Sequence, residues 1–147
     1  MDINMNTEQE MRPIKSFNFE GKEQPVSFVE TMQVTDGVEC DVYFFDGDTT
    51  KDLGIIRIKP GSKTPLQRVL GGNRTVEGYL SGKGKLTISK ADGRQQTYKV
   101  NGDLKEPVVV TVAVGEQMQW EADKESGLIA YEVCFPPYEA GRYENLK

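Results

Sequence analysis

The chain of 147 residues contains no histidine, which excludes imidazole both as a metal ligand and as a general base working near neutral pH. Cysteine is almost as scarce. Cys40 and Cys134 each sit inside an apolar, strand-like stretch and lack the paired spacing of a zinc site or a redox motif, so both read as buried thiols. Long hydrophobic runs are missing too: the longest, Val108 to Val114, is interrupted by Thr111 and falls far short of the roughly 20 residues that span a bilayer. No block of like charge occurs, and 23 acidic residues against 18 basic ones leave a net charge of −5, which argues against nucleic acid or an anionic membrane as partner. The opening MDINMNTEQEMRPIK has no basic start followed by an apolar stretch; it does not read as a secretory signal, and a cytoplasmic location is expected.

What remains is a balanced composition, 37% hydrophobic and 28% charged, that suits a globular domain rather than a disordered chain. A chain of this length is expected to build one domain around one core, burying roughly 70% of its unfolded surface. Residues 1–17 are polar and carry no sustained period of 2 or 3.6, which marks a flexible arm ahead of a domain at 18–147. The domain reads as all-β. Strands are expected at Glu39 to Phe45, closed by Asp46-Gly47-Asp48; at Leu53 to Lys59, stopped by Pro60-Gly61; and at Thr75 to Leu80. Lys85 to Lys90 and Arg94 to Val100 flank Ala91-Asp92-Gly93 as a hairpin, and Pro107 to Val114 and Leu128 to Phe135 complete seven short strands with no internal helix. Alternation sets Thr75, Glu77 and Tyr79 on one face of their strand, and Ile129, Tyr131, Val133 and Phe135 on the face of the last strand that best suits a core.

Pro60-Gly61 and, further on, Leu80-Ser81-Gly82-Lys83-Gly84 match the two ends of the first motif of the cupin superfamily, which this region resembles. Val108 to Phe135, with Gly115-Glu116 inside it and Pro136-Pro137 after it, looks like the second motif. The resemblance implies a double-stranded β-helix, the jelly-roll barrel. At the two positions where the family carries histidines, this chain has Gln67 and Val69. The family's glutamate position falls at Thr75, with Glu77 two residues on and sharing its face, and the histidine of the second motif gives way to a shortened Trp120 to Gly127 segment. No metal and no other cofactor is therefore expected.

A barrel without a metal still offers a mouth in which an organic molecule can bind. The candidate lining is Glu77, Tyr79 and Thr75 from one strand, Gln67 and Arg68 from the preceding loop, and Arg57, Trp120 and Tyr131 from neighbouring strands. An indole and two phenols can stack on sugar rings while amide, guanidinium and carboxylate groups bond hydroxyls or an anion. The same aromatics would serve equally well as core, and the arginines as partners of nearby carboxylates. The function expected is metal-independent binding of a carbohydrate or a carboxylate metabolite. The alternative is a metal-free sugar-modifying isomerase, epimerase or dehydratase, with Glu77 as base, Tyr79 or Tyr131 as acid and Arg68 stabilising negative charge. Gly71-Gly72 and Gly82-Lys83-Gly84 precede no helix and read as turns rather than phosphate loops. A homodimer paired through edge strands is expected.

Overall fold

The computed structural model describes residues 13–146. They form twelve strands: β1 (Ser16–Phe19), β2 (Lys22–Thr35), β3 (Val38–Phe45), β4 (Asp48–Ile58), β5 (Leu66–Val69), β6 (Arg74–Gly82), β7 (Gly84–Ser89), β8 (Gln95–Val100), β9 (Val109–Val112), β10 (Gln117–Ala122), β11 (Leu128–Phe135) and β12 (Tyr143–Leu146). Among the described residues no helix is long and apolar enough to cross a membrane. The strands build a seven-stranded sheet in the order β1-β2-β3-β4-β11-β6-β9 and a five-stranded sheet in the order β12-β5-β10-β7-β8, with antiparallel pairing throughout. The two hairpins that join β2 to β3 and β3 to β4 turn on Asp36-Gly37 and Asp46-Gly47, where the glycines take φ of 78° and 74°, a region that side chains with a Cβ rarely enter.

The inner faces of the two sheets meet in a core of Val38, Ile56, Ile58, Leu128 and Ala130 against Val69, Leu86, Ile88, Met118 and Trp120. A second core lies on the other face of the larger sheet, where Phe17, Phe19 and Val26 from the β1-β2 hairpin cover Tyr43, Phe45, Leu53, Val76, Tyr131 and Val133. The sequence led us to expect one core, and this is a correction. The central strands β4, β6 and β11 are buried on both sides, so apolar residues recur on both faces and alternation cannot by itself say which face looks into the barrel. The face carrying Tyr131 and Val133, with Phe135 packed against it, belongs to the outer core, whereas Leu128, Ala130, Glu132 and Cys134 face inward.

The expected boundary at residue 18 also moves. β1 begins at Ser16, Phe17 is buried, and the Ile14 amide donates to the Tyr43 hydroxyl at 3.2 Å, so the compact domain includes chain assigned to the arm. Residues 1–12 of that arm lie outside the described residues. Phe19, 3% exposed and in ring contact with Phe45 and Phe135, is a keystone of the outer core. Phe19→Ala is expected to cost about 3–5 kcal/mol in urea unfolding; a loss below about 1 kcal/mol would show that the hairpin covers the sheet without stabilising it.

Candidate functional site

β6 and β11 are neighbours, and their register sets Glu77 opposite Glu132 and Thr75 opposite Cys134 on the inner face. Side chains directly opposite in an antiparallel pair share a face and touch, so two carboxyl groups meet inside the barrel. Across the interior, β10 brings Trp120 to them. Its backbone is fixed by exchange with Thr64, whose amide donates to the Trp120 carbonyl at 2.9 Å and whose hydroxyl accepts from the Trp120 amide at 3.0 Å. The indole Nε1 then donates to Glu77 Oε1 at 2.7 Å, a buried bond that ties the smaller sheet to the larger.

Glu77 is 1% exposed, and its second oxygen, Oε2, is buried without a hydrogen-bond partner. Burial first, the charge of Glu132 next and a carboxyl-to-carboxyl hydrogen bond after that raise its pKa well above 4.5, with the Trp120 bond opposing. These observations agree on one state. As a carboxylate, Oε2 has no donor to meet; as an acid, it can donate to Glu132.

The C-terminal segment closes the cluster. β12 pairs with β5 and delivers the Tyr143 hydroxyl to Glu132 Oε1 at 2.8 Å, with Cys134 Sγ 3.1 Å from the same hydroxyl. Burial, followed by the charge of Glu132, pushes both the Tyr143 phenol and the Cys134 thiol up, so each stays protonated. Arg142, 5% exposed, donates through Nη1 to Pro136 O at 2.8 Å and through Nη2 to Arg74 O at 2.8 Å and Thr75 Oγ1 at 3.0 Å. Its Nε is buried without a partner. Asp52, raised by burial, accepts from the Tyr138 amide at 3.0 Å beside this segment.

Of the residues proposed from sequence, Thr75, Glu77 and Trp120 come together here. Tyr79 shares their face but lies toward the end of β6, with its hydroxyl donating to Gly82 O at 2.7 Å. Gln67 and Arg68 are held by the C-terminal strand, through Asn145 at 3.0 Å and Glu144 at 3.3 Å respectively. Arg57 and Tyr131 do not reach the site. Arg57 lies on the outer face in ion pairs with Asp41 and Glu39, and the Tyr131 ring packs edge-on against Phe17 at 5.0 Å and directly over Gly78, where a Cβ would fall 2.1 Å from it. Both misplacements follow from the choice of the wrong face. Glu132, Cys134, Arg142 and Tyr143 were missed; the available signal was a lone acid within the apolar run Leu128 to Phe135. A groove of about 570 Å³ between Lys83, Lys85, Lys99 and Lys124 on one hand and Glu121, Asp123 and Glu125 on the other shares no residue with this cluster.

The fold is matched by a cupin-2 domain from Rhodospirillum rubrum at a TM-score of 0.61 and 16% identity, over 92% of this chain and 85% of that one. The fold is a cupin fold. Oxalate decarboxylase from Bacillus subtilis matches at a TM-score of 0.65 and 18% identity, and the capsular polysaccharide assembling protein CapF from Staphylococcus aureus at 0.64 and 16%. The chain covers 30% and 34% of those two proteins, about a third of their length. No protein-family model and no curated protein matches the chain.

Oxalate decarboxylase has Mn(II) centres; the residues here do not fit such a metal. At the two histidine positions of the cupin motif, Gln67 is bonded to Asn145 and Val69 is part of the inner core. Glu77 offers one oxygen already taken by an indole N–H and another aimed at a carboxyl group. Among the described residues no group of three or more Cys, Asp or Glu side chains is arranged to hold an ion.

The carboxyl pair also fixes a pH dependence. In the unfolded chain Glu77 titrates near 4.5, so above that pH the unfolded state has released a proton that the folded state keeps. Folding then takes up a proton, and stability falls as pH rises toward the folded pKa; Asp52 adds in the same direction. Glu77→Gln is neutral at every pH and can still accept from Trp120 and donate to Glu132. Between about pH 5 and about pH 8 the wild-type urea midpoint is expected to fall relative to that of Glu77→Gln, whereas parallel profiles would mean that Glu77 is ionised in the fold.

Proposed function

We propose that this cupin-fold protein binds a small, uncharged, polyhydroxylated molecule of the carbohydrate class at the Glu77 end of the barrel, without a metal ion. The observation that supports this reading is that Arg142 Nε is a buried donor without a partner, while the Glu77–Glu132 pair on the same face as Thr75 offers carboxyl oxygens that can accept. A hydroxyl group both donates and accepts, so one class of ligand meets both demands. Its neutrality matters because the interior already holds the charge of Glu132 beside the acid form of Glu77, while the buried Arg142 guanidinium is engaged by backbone carbonyls and Thr75. A carboxylate metabolite would bring a further negative charge into that setting, at a large desolvation cost. Trp120 adds an indole edge that fixes the carboxyl rather than a ring face on which sugar would stack.

A second reading uses the same residues for catalysis. Two facing carboxyl groups that share a proton form an acid and a base in one place, with the Tyr143 phenol, rather than Tyr79 or Tyr131, as the neighbouring donor. Bound sugar incubated in deuterated water would then take up deuterium at carbon, and Glu77→Gln would stop it; no incorporation leaves binding alone.

Titration calorimetry with neutral monosaccharides and with small carboxylates distinguishes the ligand classes. Saturable binding of a neutral sugar is expected, retained in Glu77→Gln and weakened about 10- to 100-fold in Glu77→Leu, the effect of removing one buried hydrogen-bonding group. Binding of carboxylates alone, or equal affinity in Glu77→Leu, would overturn the reading.

A further inference from the structure

We infer that the groove beside the Gly82-Lys83-Gly84 turn is a second binding site, for a small organic molecule with a dianionic head group of the phosphate class. The groove holds about 570 Å³, within the usual range for small-ligand sites, and shares no residue with the Glu77 cluster. One of its walls is firmly fixed backbone. The Lys83 amide donates to Gly127 O at 3.0 Å, and Lys83 O accepts from the Asp123 amide at 2.9 Å. Gly82, at a φ of 88°, lies against Gly127 O and Gly84 lies against Glu121 O, so neither position has room for a Cβ. The turn thus holds the Lys83 backbone in one place at the groove.

Across the smaller sheet, the charges are arranged in a way that the fold alone leaves unbalanced. Register sets Glu121, Lys85 and Lys99 in one row over β10, β7 and β8, with their side chains on the same face. Lys85 reaches Glu121 at 3.6 Å, which leaves Lys99 directly opposite another lysine. β8 is the edge of its sheet, and among the described residues no strand on its far side supplies an acid. Like charges directly opposite destabilise an antiparallel pair, and an anion lying over them removes that cost.

Two further lysines line the same groove, Lys83 from the turn and Lys124 from the loop after β10. Among the described residues neither they nor Lys99 makes an ion pair. Of the acids there, Glu121 is taken by Lys85, and Asp123 Oδ2 accepts from the Glu125 amide at 3.1 Å. Four lysines against three acids make the groove positive on a chain whose net charge is −5. A phosphate group, with two charges and three acceptor oxygens, answers three unpaired ammonium groups better than a carboxylate does. Val100 and Ala122 add apolar lining for the organic part. The acids set among the lysines disfavour a nucleic-acid strand, which would pass over them as well.

Amide NMR titration of the full chain with phenyl phosphate, against benzoate at the same ionic strength, tests this at about pH 7.5, where the phosphate is a dianion. Saturating shifts are expected at Lys83, Gly84, Lys99 to Asn101 and Lys124, with benzoate at least tenfold weaker. Lys83→Gln and Lys99→Gln should each weaken phenyl phosphate about threefold or more. Both variants remove an exposed, unpaired charge and should fold; without ligand, Lys99→Gln should be no less stable to urea than the wild type, since it relieves the repulsion from Lys85. Shifts that do not saturate, equal affinity for benzoate, or affinity unchanged in both variants would overturn the inference. So would shifts confined to Thr75, Glu77 and Arg142, which would place the ligand in the barrel.

Discussion

The hydrogen bond from the Trp120 indole to Glu77 is the contact on which the interior of this barrel turns. It joins the two sheets through their cores and satisfies a donor and an acceptor that would each cost about 1–3 kcal/mol if left alone. It also fixes which way the carboxyl group faces. With Oε1 held by the indole, Oε2 is directed at the β11 side, where the register has already placed Glu132. Two carboxylates in an apolar interior cannot both stay charged, and Glu77, the more deeply buried, is the one pushed toward the acid form. Glu132 in turn draws Tyr143 inward, and Tyr143 brings β12 alongside β5. The C-terminal segment therefore docks on a polar cluster rather than on a hydrophobic seam.

Imidazole would have made a different interior. In a cupin fold whose motif positions carried histidines, neutral nitrogens would converge on a cation. Here Gln67 and Val69 stand at those positions, one turned to Asn145 and the other packed in the core, and the polar groups around Glu77 are an indole, carboxyl groups, a phenol, thiols, Thr75 and the Arg142 guanidinium. Burial pushes Cys40 and Cys134 up along with Tyr143, so the cluster is rich in X–H groups and poor in anions that could bind a metal.

Much of the larger sheet was legible because its strands are rich in β-branched and aromatic residues and stop at Asp-Gly, Pro-Gly or Pro-Pro; Leu128–Phe135 has the bounds read from sequence, and β3 differs by one residue. The glycine and proline framework between Pro60 and Gly84 carried the cupin resemblance, and the fold agrees with it. β2 escaped notice because only Val26 of its 14 residues is fully buried, which leaves no periodic pattern to detect. β5 and β12 are four residues each, too short to show a period; β12 takes its place by pairing with β5, which also pairs with β10. For the site, Glu77 stood out as an acid on an inward face, and Trp120 as the lone indole. Glu132 did not, because β11 is buried on both sides and the Tyr131 face was the more apolar of the two. The same inversion took Arg57 and Tyr131 into the barrel, when the β1-β2 hairpin had built a second core around that outer face. Nothing in a period of two distinguishes the inside of a barrel from the inside of a flanking layer.

Carbon-13 NMR of the side-chain carboxyl groups measures the protonation of Glu77 directly, with Glu77 assigned by its loss in Glu77→Gln. The carboxyl resonance of Glu77 is predicted to keep the shift of the acid form at pH values where an ordinary glutamate has already ionised. A Glu77 resonance that titrates near 4.5, the value for an unperturbed glutamate, would contradict the account, because Oε2 would then be a buried carboxylate with no donor beside it.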